Sequence, residues 1–130
     1  MIVFDASVLI AHISPEDPFH GRATEMLEEL EEFDFAASTL TVAECLVHAS
    51  VADRVTSVLG IFERLDLIQF ELLRSETGGL AEVRNASRLR MPDAVVLYTA
   101  EAHAGELATA DRTLARAAEA RGVTAHLLEA

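Results

Sequence analysis

Residues 1–13 read MIVFDASVLIAHI: an apolar triplet, Ile2-Val3-Phe4, then an aspartate, then a short run rich in apolar residues. A triplet with no polar alternation suits a strand covered on both faces. A helix over Ala6 to about His12, joined to it with no spacer, makes the first strand–helix unit of a parallel sheet.

The same alternation continues down the chain. Pro15 and Pro18 mark a loop, and a helix is expected over Arg22–Glu32, with Ala23, Met26, Leu27 and Leu30 on one face and glutamates on the other. Residues 33–37 read as the second strand, and a helix begins at Ser38 or Thr39. Another helix covers about Ala52–Leu65, and Leu67–Leu72 is the third strand. Glu76–Leu89 reads as a helix weakened by Gly78-Gly79. Pro92 stops the chain, Asp93 opens a helix to about Ala104, and Gly105 ends it in the C′ position. Leu107–Thr109 is a strand, Arg112–Ala120 a helix stopped by Gly122, and Val123–Leu128 the last strand. The expectation is one domain over residues 1–130: an α/β fold of three layers, α/β/α, around a central parallel sheet of four to five strands.

Composition narrows the chemistry. The chain is 51% apolar and carries a net charge of −12, which excludes a disordered chain and argues against non-specific nucleic-acid binding through bulk charge. It contains no lysine, so P-loop and Schiff-base mechanisms are excluded. The single cysteine, Cys45, cannot form an intramolecular disulfide and suits a reducing cytoplasm. The N-terminal apolar run has no basic leader and is split by Asp5, so neither a signal peptide nor a membrane span is expected.

In doubly wound sheets function sits beyond the carboxyl ends of strands, where the strand order reverses. Asp5 follows the first strand, Asp111 the fourth, Glu44 lies early in the helix after the second, and Asp93 opens a helix after Met91-Pro92. Each aspartate alone reads as a helix N-cap, and Glu44 alone as a solvated helix residue. Together they converge on one crevice, with no lysine to neutralise them. Clustered carboxylates repel and raise one another's pKa, which a hard divalent cation with oxygen ligands relieves.

Three segments carry a resemblance: MIVFDASVLIA (1–11), STLTVAECL (38–46) and LRMPDAVVLYTAEAHAGELATADRTL (89–114). The ordered combination of D-x-S, T-x-x-E, P-D-A and L-A-T-x-D resembles the PIN-domain ribonucleases, above all the VapC-type toxins of bacterial toxin–antitoxin pairs. The resemblance covers essentially the whole chain. It implies an endoribonuclease dependent on Mg²⁺ or Mn²⁺, leaving 3′-hydroxyl and 5′-phosphate ends, with Asp5, Glu44, Asp93 and Asp111 as the acidic metal site. Ser7 and Thr109 match auxiliary polar positions that position metal waters or the scissile phosphate. Where many relatives carry one more acid after the last aspartate, this chain has Arg112, Thr113 and Leu114. A cognate VapB-type antitoxin is the implied protein partner, and RNA the substrate.

Arg84, Arg88 and Arg90 precede the P-D-A turn, and Arg84 and Arg88 are expected on one helix face. Arg84, Arg88 and Arg112 either pair with surface carboxylates or hold RNA phosphate. The apolar stripe Leu46, Val47, Val51, Val55, Val58, Leu59 and Phe62 is mostly core, with a surplus that suits a homodimer face or an antitoxin groove. Cys45 reads as buried filler, and the five histidines show no metal-ligand spacing. Haloacid-dehalogenase and response-regulator folds also place an aspartate after the first strand, but both need a lysine. The rival reading is a catalytically silent PIN-like module acting by RNA or protein binding.

Overall fold

The computed structural model describes residues 1–130. The strands β1 (Ile2–Phe4), β2 (Phe35–Ser38), β3 (Ile68–Phe70), β4 (Glu106–Thr109) and β5 (Ala125–Leu127) form one parallel sheet in the order β3-β2-β1-β4-β5. The helices are α1 (Ala6–Ile13), α2 (His20–Glu29), α3 (Thr39–Ser50), α4 (Val55–Arg64), α5 (Thr77–Ser87), α6 (Met91–Ala102) and α7 (Arg112–Ala120). None is long and apolar enough to cross a membrane.

The strand period of two divides the core. Ile2, Phe4, Phe35, Ala37 and Ala108 face one layer, built from α1 to α4, and Phe4 meets Phe35 edge to face with ring centroids 5.0 Å apart. Val3, Ala36 and Leu107 face the other layer, built from α5, α6 and α7. All three β1 residues are fully buried, which is why they show no polar alternation. The result is the expected α/β/α sandwich, with all five strands present.

Several boundaries differ from expectation. β3 is an exposed edge strand, and only three of the six anticipated residues pair. Helix α2 starts at His20, two residues early, and stops at Glu29. Helix α5 starts at Thr77, after a 3-10 turn over Arg74–Glu76. Gly79 lies in its first turn because a Cβ there would stand 2.9 Å from the Tyr98 ring of α6, so the glycine permits close packing. Helix α5 ends at Ser87, and Arg88 takes the left-handed conformation (φ 60°). Arg84 and Arg88 therefore do not share a helix face. Nor is Gly105 the left-handed residue after α6: Ala104 (φ 51°) takes that role, whereas Gly122 (φ 81°) ends α7 as expected.

The order β3-β2-β1-β4-β5 means that the chain winds outward from β1 in one direction and resumes at β4 on its other side. The switch point lies between β1 and β4, whose register pairs Phe4 with Ala108. Asp5, just past β1, and Thr109, the last residue of β4, stand side by side at this point.

Candidate active site

Asp5 sits at the floor of the switch point, 5% exposed. It caps α1: its Oδ1 accepts from the Val8 N–H at 3.2 Å and from the Ser7 hydroxyl at 2.6 Å. Its Oδ2 accepts a short hydrogen bond from the Thr109 hydroxyl. Each of these hydroxyls, while donating to Asp5, also accepts from the β4–α7 turn. The Ala110 N–H donates to Ser7 Oγ and the Asp111 N–H to Thr109 Oγ1, each at 2.9 Å. Two hydroxyl relays thus connect the backbone of one strand end to both carboxylate oxygens at the other. The hydroxyls of Ser7 and Thr109 hold the Asp5 carboxylate.

Burial nonetheless pushes the Asp5 carboxyl above its ordinary range; Ser7, Thr109 and the Val8 N–H oppose that, and the nearby Asp93 charge adds to it. Glu44, in the second turn of α3, is raised by partial burial and by Asp93 and Asp5. Asp93 is raised by partial burial and by Asp111. The acids are therefore in mutual electrostatic reach. Asp5, Glu44, Asp93 and Asp111 all line one cleft of about 200 Å³, together with Ala6, Ser7, Arg90, Pro92 and Val96.

Asp93 does not cap its helix. Pro92 occupies the first turn of α6, where its missing N–H costs nothing, so the helix begins at Met91 and Arg90 is the N-cap residue. Asp93 stands in that first turn and its carboxylate accepts no hydrogen bond from the protein. Asp111 does cap α7, through Oδ1 alone, from the N–H groups of Thr113 at 2.8 Å and Leu114 at 3.4 Å. Its Oδ2 has no protein donor.

Of the arginines, only Arg90 lines the cleft. Arg84 and Arg88 are exposed and lie outside it, and Arg112 makes an exposed ion pair with Glu129 at 3.1 Å. The signal for Arg90 in the sequence is its place directly before a proline-started helix that carries an aspartate. Cys45 is fully buried, and burial, then Glu44 and Asp5, push its thiol up to about 12, so it is inert filler. A larger concavity of about 450 Å³ opens at the other end of the sheet, but its acids, Glu101 and Glu106, are paired with Arg121 and His126 at 2.6 and 2.7 Å.

The donor set suits a hard divalent cation: carboxylates only, with a desolvated Asp5 whose charge lacks a positive partner. No three His, Cys, Asp or Glu side chains stand close enough to grip an ion by direct bonds from all three. An ion placed there would take one or two carboxylates directly and keep its other ligands as water. Asp111 and Arg90 stand exposed at the edge of the cleft.

The PIN domain family model matches residues 2–120. Among solved structures, the fold is similar to a chain of a toxin–antitoxin complex from Klebsiella pneumoniae (TM-score 0.72, 23% identity, 85% of this chain and 87% of that one). It is also similar to a chain of FitAB bound to an IR36 DNA fragment (TM-score 0.71, 22% identity, 98% and 94%). A third is FitAcB from Neisseria gonorrhoeae (TM-score 0.63, 21% identity, 96% of each chain). At these identities the likeness is one of fold. No curated protein matches the chain in sequence.

Proposed function

From the premise that this chain belongs to the PIN-domain family, we propose that it is a Mg²⁺- or Mn²⁺-dependent endoribonuclease, the toxin of a VapBC-type toxin–antitoxin pair. The observation that carries the reading is the convergence of Asp5, Glu44, Asp93 and Asp111 on one cleft at the switch point of the sheet. Burial and the neighbouring negative charges disfavour the charged forms of Asp5, Glu44 and Asp93 unless a cation joins them.

Asp5, Glu44, Asp93 and Asp111 hold the ion, directly or through water. When bound, the ion supplies Lewis acidity toward a phosphoryl oxygen and an acidified water at neutral pH. Ser7 and Thr109 fix the orientation of Asp5, so the carboxylate does not reorganise when substrate arrives. Asp93 contributes a carboxylate free of protein donors, and Asp111 contributes Oδ2 while its Oδ1 stays with the helix.

A cognate antitoxin covers the cleft and acts with the toxin in the cytoplasm. Two features support this partner: similar folds occur in toxin–antitoxin complexes, and Val47, Val51 and Leu59 are left 69%, 89% and 44% exposed on α3, just beyond it and on α4. A second copy of the chain is the competing occupant of that surface. The functional reading is tested by incubating the purified protein with single-stranded RNA in Mn²⁺, Mg²⁺ or chelator. Cleavage with either ion, abolished by chelator and leaving 5′-phosphate ends, is the expected result. Binding without cleavage in both ions would identify a silent binding module instead.

A further inference from the structure

Arg90 is the one fixed positive charge in an otherwise acidic cleft. Four of the ten arginines, Arg22, Arg54, Arg112 and Arg121, are held by ion pairs or backbone carbonyls. Arg90 has no such partner: no carboxylate lies within ion-pair distance of it, although Glu44 and Asp93 both feel its charge. A structural ion pair would have closed onto one of those acids. The guanidinium instead keeps its donors free, beside the carboxylates.

The backbone holds it there. Leu89 is buried in the second core cluster, 4% exposed, and anchors the chain on one side. Pro92 in the first turn of α6 stiffens the other side. Between these anchors Arg90 is extended (φ −65°, ψ 155°), and its side chain makes no cap hydrogen bond. The side chain is thus not needed by the helix. Its fork of donors matches the oxygens of a phosphodiester, and a chain at −12 needs a local cation wherever a polyanion enters.

We propose that Arg90 grips a backbone phosphate of the single-stranded RNA that enters the acidic cleft, a contact that rests on the ribonuclease reading above. It makes Arg90 a substrate-touching residue at the cleft edge, beside the carboxylates that hold the cation.

The test compares wild type with Arg90→Met, Arg90→Lys and Arg64→Met. The last removes an equal charge from the end of α4, where Arg64 is exposed and unpaired. Cleavage of single-stranded RNA is followed with Mn²⁺ across a salt series, and Mn²⁺ binding without RNA is measured by calorimetry. Arg90→Met should lose about tenfold or more in kcat/KM, the size of a lost hydrogen bond to a charged group. Its salt dependence should flatten by about 0.7 in log–log slope, one phosphate contact on a single strand. Arg90→Lys should keep the slope while losing rate, Arg64→Met should match wild type, and Mn²⁺ affinity in Arg90→Met should be equal or tighter. Wild-type cleavage and slope in Arg90→Met would overturn the proposal, as would a loss of Mn²⁺ affinity that accounts for the lost rate. A wild-type protein that cuts no RNA is a different result, and overturns the ribonuclease reading together with the inference built on it.

Discussion

Thr109 donates its hydroxyl to the carboxylate of Asp5, a residue 104 positions away in the chain, across the point where the strand order switches sides. The same hydroxyl accepts from the Asp111 N–H, so a single buried oxygen ties two of the four acids to one strand end. Replacing it by valine removes a donor to a buried charge and orphans a backbone N–H. Thr109→Val should lose about 2 kcal/mol in urea unfolding, the range for a hydrogen bond to a charged group. Thr109→Ser should recover most of it. Equal stability of Thr109→Val and wild type at neutral pH would show that the Asp5 charge does not depend on this bond.

The raised carboxyls of Asp5, Glu44 and Asp93 set the pH dependence of the metal-free protein. Above the ordinary carboxylate range the unfolded chain has released its protons while the folded chain still holds them. These groups therefore lower stability as pH climbs through their raised folded values. A cation competes with those protons and binds only the folded state. At ten times its dissociation constant it adds about 1.4 kcal/mol. Thermal melts should show a stabilisation by Mn²⁺ that is large at pH 8 and nearly absent at pH 4. A metal shift of the same size at both pH values would contradict the carboxylate site.

Asp111 performs two tasks with two oxygens, and substitutions separate them. Asp111→Ser keeps an acceptor for the first turn of α7 and should melt near wild type. Asp111→Ala should lose about 1 kcal/mol, the usual worth of a cap. Both should lose RNA cleavage, because neither retains a charge. Full cleavage by Asp111→Ser would leave Asp111 as a cap alone.

The layers and the switch point were legible because buried parallel strands are continuous apolar runs, and Ile2-Val3-Phe4 and Leu107-Ala108 are such runs. β3 was over-extended because it is an edge strand, and the apolar residues flanking it, Leu67 and Leu72, lie outside the pairing. The start of α6 was placed two residues late, at Asp93, because Pro92 reads as a stop, although proline is well tolerated in the first turn of a helix. Asp93 follows a helix and was placed in the cleft by the P-D-A resemblance alone, but the convergence of Asp5, Glu44 and Asp111 was readable from their places after strands. The duties of Ser7 and Thr109 were not, since a hydrogen bond across the sheet leaves no trace in local spacing. Capping and cleft-lining also proved compatible: Asp5 and Asp111 do both, which local propensity treats as alternatives.

The most direct test of the central claim, that these four carboxylates form a metal-dependent ribonuclease site, is the rate of RNA cleavage by Asp93→Asn in Mn²⁺, measured beside its melting temperature. Asp93 accepts no protein hydrogen bond and caps nothing, so the substitution removes a charge from the cleft and little else. The account predicts a melting temperature near wild type, or higher in chelator where repulsion is relieved, and a cleavage rate lower by orders of magnitude. Asp93→Asn protein that is folded and cuts RNA at the wild-type rate would contradict it.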